Sequence, residues 1–212
     1  MSEGPEGNQT KPEVEKTPAA TPAAAAPAAP AAAKPAAAAA AVPPKPTPVA
    51  WEGALVEQVK AQFGGAILNA LSYLGQKYFV VDRSVAFPVI EALRNQHGFN
   101  YLTDITAVHY PKDELPMEMV WIVYSSKANE RVRVKARFAE SDQVQSLTGM
   151  WPGANWLERE VFDMFGIRFA NHPDLRRILM PEEWNGYPLR KDYGLDQQDT
   201  AWVQKNLGIE RG

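Results

Sequence analysis

An abrupt change in composition near residue 50 limits how much of this chain can build a fold. Residues 1–50 hold 18 Ala and 11 of the 18 Pro, and they contain no aromatic residue, no Ile and no Leu. Such a segment buries too little apolar surface to offset the entropy lost on ordering, so we predict a disordered tail. The chain from Trp51 onward, about 160 residues, has the size of one domain.

Composition also excludes several kinds of chemistry. The chain has no Cys, which rules out a disulfide, a thiolate nucleophile and a Cys-ligated zinc ion or iron–sulfur cluster. Its formal net charge of -3 counts against a nucleic-acid-binding protein, since such proteins are more often basic. No segment approaches the roughly 18 apolar residues of a membrane-spanning helix, so the chain is predicted to be soluble or peripheral to a membrane.

Apolar periodicity downstream of the tail predicts a mixture of short helices and strands. Helical spacing is expected near 52–63, 87–96 and 156–165, and strand patterns near 67–73, 76–82, 101–110, 117–125 and 131–138. Met117 to Ser125 is apolar on both faces, as expected for a central strand covered on each side. Because short links join successive strands, the predicted fold class is α+β, with a small, mainly antiparallel sheet covered by helices.

The strand predicted at Arg131 to Phe138 alternates with a period of two. One of its faces carries four cations: Arg131, Arg133, Lys135 and Arg137. This face invites a nucleic-acid or phosphate interpretation. The other interpretation is an outer sheet face that is solvated, or covered by acidic groups of this chain or of a neighbour. Since no aromatic residue is interleaved with the cations to stack on bases, we expect the second.

The helix predicted at Trp156 to Phe165 combines an apolar face with several charges. Asn155 is a suitable N-cap, and Gly166 is a suitable C-terminal stop. At about 100° per residue, Glu158 falls within the apolar arc. The charged residues expected to face away from that arc are Arg159, Glu160 and Asp163.

A carboxylate on an apolar helix face requires a partner. For Glu158 the local candidate is a capping box, in which its side chain accepts the backbone N–H of Asn155. The alternative is an ion pair with Arg168, Arg176 or Arg177. The two arrangements are compatible, so the sequence leaves both open.

Glu158, Glu160, Asp163 and His172 are the residues that most invite a metal or acid–base interpretation. Helix geometry argues against it, because Glu158 and Glu160 lie about 200° apart and cannot reach one ion. The chain also has no Gly-rich phosphate loop after a strand and no nucleophile-elbow serine. We therefore predict no catalytic, metal-binding or cofactor-binding residue. The alternative from another class is a free-standing hydrolase or metal-dependent enzyme that uses the region from Glu158 to His172.

Residues 167–212 lack the periodicity of a self-sufficient fold. Trp184, Tyr187 and Tyr193 flank a charged triplet at residues 190–192. Trp, Tyr and Arg are the residues that concentrate binding energy at protein interfaces, and such a segment free in water would leave apolar area uncovered. The sequence therefore predicts an extended C-terminal docking arm that lies on another protein.

Three blocks in this region resemble the thirty-kilodalton subunit family of complex I in their order and spacing: Trp156–Ile167 (WLEREVFDMFGI), His172–Leu179 (HPDLRRIL) and Tyr187–Tyr193 (YPLRKDY). The resemblance extends loosely back to Trp51. With the tail at 1–50, it implies an α+β domain of the family at 51–166 and an interface arm at 167–212. The residues to which it assigns a partner-interface role are Glu158, Arg159, Glu160, Asp163, Gly166, His172, Pro173, Arg176, Arg177, Arg190, Lys191, Asp192 and Tyr193.

The resemblance implies a non-catalytic subunit in the peripheral arm of respiratory complex I, the proton-translocating NADH:quinone oxidoreductase. In bacteria this subunit is the C subunit. Such a protein binds no cofactor itself and supports the quinone-reducing module, while FMN and iron–sulfur clusters of partner subunits carry the electrons. The expected partners in this hetero-oligomer are the D subunit, which is forty-nine-kilodalton-like, and neighbouring cluster-bearing subunits. The complex would lie on the cytoplasmic face of the bacterial inner membrane, and this chain would contact the membrane only indirectly.

Two further expectations follow from the resemblance. The chain ends soon after the motif, which favours a stand-alone subunit over a form fused to the D subunit. The alternative assignment is the equivalent subunit of a membrane-bound hydrogenase or of another quinone-reducing dehydrogenase complex.

Overall fold

The computed structural model of this protein describes residues 46–194 and 199–208. Most of the predicted tail therefore lies outside the described residues. The strands are β1 Val49–Ala50, β2 Ile67–Tyr73, β3 Gln76–Val81, β4 Tyr101–His109, β5 Met117–Ser125, β6 Glu130–Phe138, β7 Gln143–Gln145 and β8 Arg168–Ala170. The α-helices are α1 Ala54–Phe63, α2 Ala86–Asn95, α3 Ala154–Phe165 and α4 Thr200–Leu207.

Six of the strands form one sheet in the order β1-β2-β3-β6-β5-β4. Neighbours in this sheet are antiparallel except for β3 and β6, which run parallel with Phe79 opposite Val134. The α+β class with a small, mainly antiparallel sheet is therefore confirmed. The parallel pair joins the N-terminal hairpin to the later strands, and the strand patterns did not predict it. The two short strands β7 and β8 form a separate parallel pair.

Tight turns explain why the strand boundaries followed so closely from the sequence. Leu74 and Gly75 link β2 to β3 and both have positive φ, 50° and 77°. Two successive residues with positive φ are typical of a type I′ turn, whose twist matches that of a hairpin. Asn129, also with positive φ, precedes β6 in the link from β5. These turns set the register that places one side of each strand in the core.

The core lies on one face of the sheet, which we call the inner face. It is centred on Phe79, Trp121 and Val134, each at most 1% exposed. Apolar side chains of α1, α2 and α3 join the same cluster, so these helices cover the inner face. Fully burying an aliphatic or Phe side chain contributes roughly 1.5–3 kcal/mol, which makes this layer the main source of stability.

The opposite face of the sheet, which we call the outer face, carries the four cations of β6. The central position predicted for β5 is observed, since it lies between β6 and β4. On its outer side, Glu118 and Val120 are 8% and 7% exposed. Neither residue belongs to the core cluster, to which the three packed helices contribute from the inner side.

The C-terminal region differs from the predicted extended arm. Residues 171–194 contain no helix or strand, but α4 then forms, with the Asp199 side chain accepting the backbone N–H of Trp202 at 3.0 Å. Trp202 packs edge-on against Trp184, with ring centroids 5.7 Å apart. An extended arm is therefore not confirmed, and the domain boundary at residue 166 stays a prediction.

Candidate docking site at the C-terminal motif

The structure places most of the motif residues around α3. This helix begins at Ala154, after Gly153, and no side chain caps it, so the N-cap predicted at Asn155 is wrong. Its buried residues lie on more than one side. Val161 and Met164 join the core. The opposite side is covered by residues that follow the helix in sequence.

Glu158 is fully buried but has neither of the predicted partners. Its Oε1 accepts the backbone N–H of Leu147 at 2.6 Å instead of the N–H of Asn155. The ion-pair alternative is also wrong: the basic group beside it is His172, whose Nε2 lies 4.0 Å from Oε2. Burial raises the pKa of Glu158 to about 7, against the opposing effect of the Leu147 hydrogen bond. The reason for the error is that Leu147, eleven residues earlier, is a tertiary neighbour.

Asp163 was expected to face away from the buried arc, yet its side chain is 0% exposed. Its Oδ2 accepts three consecutive backbone N–H groups, and its Oδ1 accepts the Arg177 guanidinium at 2.6 Å. The three donors, at 2.7–3.0 Å, are Ile178, Leu179 and Met180. Burial alone would raise the pKa of Asp163, but these donors outweigh it and hold the pKa below its ordinary value. The carboxylate therefore fixes the turn at residues 177–180 on α3.

Arginine side chains hold the same loop through its carbonyl groups. Arg159, also expected to face away from the buried arc, is buried; it donates to the carbonyl oxygens of Arg176 and Arg177, both at 3.1 Å, and lies over the Trp156 ring. Arg177 donates in turn to the carbonyl oxygen of Gly186 at 3.1 Å. A buried guanidinium with several fixed acceptors is well satisfied, because its donors form a rigid fork.

The C-terminal end of α3 is completed by residues far along the chain. The last carbonyls of a helix have no partner within the helix. Here the carbonyl of Asp163 accepts from Arg177, that of Met164 from the backbone N–H of Leu189, and that of Phe165 from Arg190 Nε at 2.6 Å. Two guanidinium groups at this end also suit the negative pole of the helix dipole.

Gly166 is required where α3 meets this loop. It has φ of 79°, a left-handed conformation that side chains disfavour. A Cβ on Gly166 would lie 2.6 Å from the ring of Tyr187. Tyr187 itself lies beneath two guanidinium groups, those of Arg177 at 5.4 Å and Arg190 at 4.8 Å from its ring centroid.

The charged triplet continues the contact onto the sheet. The backbone N–H of Lys191 donates to Nδ1 of the buried His109 at 3.0 Å, and the Asp192 carboxylate lies 3.4 Å from the same nitrogen. The ring of Tyr193 packs on Gly186, where a Cβ would lie 2.6 Å away. Residues 187–193 are therefore packed on their own domain.

The remaining motif residues divide into two groups. The His172 ring packs at the N-terminal half of α3, with its Nε2 3.2 Å from the carbonyl oxygen of Asn155. Glu160, Pro173 and Arg176 are exposed; Arg176 makes an ion pair with Asp174 at 2.9 Å. The side chains of Lys191 and Asp192 are exposed as well, and residues 191–193 contact His109 and Gly186 instead of α3. The structure thus brings the other motif residues together around α3.

Sequence reasoning missed three residues that complete this arrangement: Leu147, His109 and Glu140, which binds Arg190 at 2.9 Å. Tyr187 was expected at an interface, but its contacts with Gly166 and with two arginines were not predicted. For Tyr187 a signal was present, because a ring beside two arginines and near two glycines suggests a close backbone approach. Nothing local marks the other three, whose partners lie 11 to 82 residues away.

The described residues contain neither a cluster of metal ligands nor a helix that could span a membrane. Across residues 46–194 and 199–208, no group of three or more His, Cys, Asp or Glu side chains has an arrangement that could hold a metal ion. In the same ranges no helix has both the length and the apolar character needed to cross a bilayer.

Comparison with known proteins gives a consistent result. The family described as the respiratory-chain NADH dehydrogenase 30 kDa subunit matches residues 79–199. The C subunit of NADH-quinone oxidoreductase from Citrifermentans bemidjiense is 41% identical over 145 residues, which cover 68% of this chain and 90% of that protein. The same protein of Trichlorobacter lovleyi is 45% identical over 142 residues, with coverage of 66% and 88%.

A solved structure shares the fold. It is that of the membrane-bound sulfane sulfur reductase, an archaeal respiratory membrane complex, with a TM-score of 0.59 and 22% identity, and it covers 74% of this chain and 91% of that chain. The motif blocks, the sheet and the match over more than half of the chain agree. This chain belongs to the 30 kDa subunit family of the respiratory-chain NADH dehydrogenase.

Proposed function

We propose that this chain is a non-catalytic subunit of a proton-translocating NADH:quinone oxidoreductase, respiratory complex I, and that it supports the quinone-reducing module. FMN and iron–sulfur clusters of partner subunits would carry the electrons from NADH to quinone. The names of the curated relatives support the assignment to this complex. One observation favours a supporting role over a catalytic one: charged side chains of the motif bind backbone groups of the same chain.

A reactive site would instead present titratable groups to a cleft. Asp163, Arg159 and Arg177 are engaged by fixed partners, and Asp163 accepts four hydrogen bonds. Asp163, whose pKa is held below its ordinary value, is a weak base, and arginine does not lose its proton near neutral pH, so these groups are poor general acids or bases. Their contacts instead suit a structural role, in which they hold the loop at residues 176–190 against α3.

The docked loop, residues 171–193, leaves apolar side chains exposed beside α3. Trp156 and Leu179 are each 62% exposed, and Leu189 is 51% exposed. Exposed Trp and Leu around an arginine-rich segment are typical of a protein interface. We propose that this surface binds the forty-nine-kilodalton-like D subunit and neighbouring cluster-bearing subunits. The chain would then reach the cytoplasmic face of the inner membrane through its partners.

The test is the retention of the D subunit by the tagged full-length chain after co-expression. Leu179→Glu and Arg176→Glu change exposed side chains of the docked loop, and we expect about tenfold weaker retention or more, as for an interface residue of moderate energy. Leu68→Glu is the matched control, because Leu68 is 56% exposed on β2, away from the motif. Removal of all residues after Gly166 is less informative, since it would also strip the partners from the end of α3.

Thermal unfolding of each variant shows whether the fold is kept. If both loop variants and the Leu68 control retain the D subunit equally, the docked loop is not the interface. If the wild-type chain retains no other subunit and instead turns over a substrate alone, the proposed function is wrong.

A further inference from the structure

The cationic outer face of β6 is only half neutralised. Glu118 on β5 accepts Lys135 at 3.2 Å and Arg137 at 3.0 Å, and Asp113 binds Arg137 at 2.9 Å. At the end of β6 that carries Lys135 and Arg137, the acidic groups expected to cover this face therefore come from the same chain. The other end, at Arg131 and Arg133, is different.

Neither of these two arginine side chains has an ion pair or hydrogen bond within the part of the chain that the structure describes. The antiparallel neighbours of Arg131 and Arg133 on β5 are Tyr124 and Ile122, neither of which is acidic. On the other side, Tyr78 of β3 lies beside Arg133. The Nε of Arg133 is closed off from solvent and has no partner. A guanidinium nitrogen in this position is unfavourable unless an acceptor reaches it.

A shallow pocket of about 250 Å³ lies over this end of the strand. Its lining residues are Gly75, Gln76, Tyr124, Asn129, Arg131 and Arg133. This set contains two guanidinium groups and two amides but no carboxylate. The Tyr124 hydroxyl donates to Oδ1 of Asn129 at 2.8 Å, which orients the amide and leaves its Nδ2 hydrogens as donors. The site is built to accept an anion.

We propose that Arg131 and Arg133 bind a carboxylate from an acidic segment of a neighbouring subunit. The planar guanidinium matches a carboxylate in a two-point contact. The half-buried Ile122 lies beside Arg133 on the same face, and such apolar area suits a protein contact. Two unpaired cations are too few for nucleic acid, whose binding grows with the number of phosphates contacted.

The inference rests on the proposed role in a complex of several subunits, but it concerns a face of the sheet away from the docked loop. The test uses Arg131→Gln/Arg133→Gln in the tagged, co-expressed full-length chain. Retention of neighbouring subunits is measured over a series of NaCl concentrations. We expect about tenfold weaker retention at low salt and a flatter salt dependence than in the wild type, because a charge-assisted contact is lost.

The matched control removes two cations elsewhere. Lys60 and Arg168 are exposed, on α1 and β8 respectively, so Lys60→Gln/Arg168→Gln makes the same change in net charge. Loss in the Arg131/Arg133 variant alone supports the site. Equal loss in both variants, or loss in neither, overturns it. A wild-type chain that retains no subunit overturns the proposed function and this inference together.

A second experiment identifies the occupant. In the assembled complex, Arg131→Lys/Arg133→Lys keeps the charge and supplies an amine that a carbodiimide joins directly to a nearby carboxylate. We expect a cross-link from position 131 or 133 to an Asp or Glu of another subunit, found by peptide mapping. Cross-links confined to this chain overturn the proposal.

Phosphate-bearing ligands are tested on the purified full-length chain with inorganic phosphate and with phosphatidylglycerol vesicles. If the chain binds either one, if Arg131→Gln/Arg133→Gln abolishes that binding, and if subunit retention is unchanged in this variant, the occupant is a phosphate group. That outcome overturns the carboxylate proposal.

Discussion

Asp163 shows how one buried carboxylate can fix a loop that has no helix or strand of its own. Its two oxygens accept three backbone N–H groups and one guanidinium hydrogen. Hydrogen bonds to a charged group contribute about 1.5–3 kcal/mol each, and an unsatisfied buried donor costs about 1–3 kcal/mol. The loop at residues 177–180 therefore depends strongly on this side chain.

We expect Asp163→Asn to lower the free energy of unfolding by about 2–4 kcal/mol, because an amide lacks the charge and turns one acceptor into a donor. Urea unfolding of the full-length chain measures the change. The matched control is Asp174→Asn, whose carboxylate is half exposed and binds one exposed arginine; its effect should stay below about 0.5 kcal/mol. Equal effects of the two substitutions would contradict the role given to Asp163.

The contributions of Glu158 and Asp163 to stability change in opposite directions as pH rises. Its pKa in the folded chain is about 7, above its ordinary value, so its proton is bound more tightly in the folded state. The associated stability is complete below the unfolded pKa, near 4.3, and is lost as pH rises through about 7. Asp163, whose pKa is lowered, keeps its contribution above pH 4 and loses it in acid.

Glu158→Gln should therefore gain stability relative to the wild type as pH rises from about 5 to about 8, by roughly 1–3 kcal/mol, because the amide cannot ionise. The measurement is the difference in unfolding free energy between the two proteins at several pH values. Glu160→Gln on the exposed side of the same helix is the control and should show a constant difference. A constant difference for Glu158→Gln as well would mean that the carboxyl is not held protonated.

At the scale of elements, period-two patterns and turn residues predicted β2 to β6 of the main sheet. They did not predict β1, because Val49–Ala50 lies in the segment predicted to be a disordered tail and is a strand only through its pairing with β2. The bounds of β2 were predicted to the residue, since Leu74 and Gly75 mark its turn. The parallel pairing of β3 with β6 was not predictable, because each strand carries an apolar face that fits several neighbours. The start of α3 was wrong because a cap depends on backbone angles as well as on residue type.

Charged faces of helices were the least predictable feature of the site. Arg159 and Asp163 are buried because a second layer, residues 176–190, covers the side of α3 away from the core. A helical-wheel argument assumes one buried side and cannot anticipate that layer. The family motif includes Arg159 and Asp163, but local pattern did not reveal which groups they bind, and their role at a partner interface stays a prediction.

We expect Gly166→Ala to lower the free energy of unfolding by about 2–3 kcal/mol, from the left-handed conformation and the clash with Tyr187 together. Gly208→Ala is the control. Gly208 also ends a helix in the left-handed region, with φ of 63°, but no atom lies within 4 Å of its added Cβ. It should cost about 1 kcal/mol. If both changes cost the same, the contact with Tyr187 contributes nothing.

For the whole molecule, the proposed role separates assembly from chemistry. If this chain only holds a surface in place, a substitution that loosens the surface should change the amount of complex that forms. Each complex that does assemble should keep normal turnover. Under the proposed role, the buried Asp163–Arg177 ion pair and the caps at the end of α3 would serve assembly, since they set the shape of the surface there.

Introduced into the cell's own complex, Asp163→Asn should reduce the amount of assembled enzyme in membranes at least twofold, because a loosened loop lowers the population able to bind. NADH:quinone turnover, measured per FMN in the purified enzyme, should stay within the error of the wild type. A normal amount of complex with a clear loss of turnover per FMN would place this chain in the chemistry.

The completion of α3 by residues up to Arg190 has a consequence for synthesis on the ribosome. The six-stranded sheet is incomplete until β6 pairs with β3, which lies some 55 residues earlier in the chain. When α3 then leaves the ribosome, its last carbonyl groups have no partners yet. The 25 residues between Phe165 and Arg190 take about 1–5 s to synthesise, and during that time the side of α3 around Asp163 is uncovered. A nascent chain stalled there would expose to chaperones and proteases a polar side of α3 that residues 177–190 cover in the finished protein.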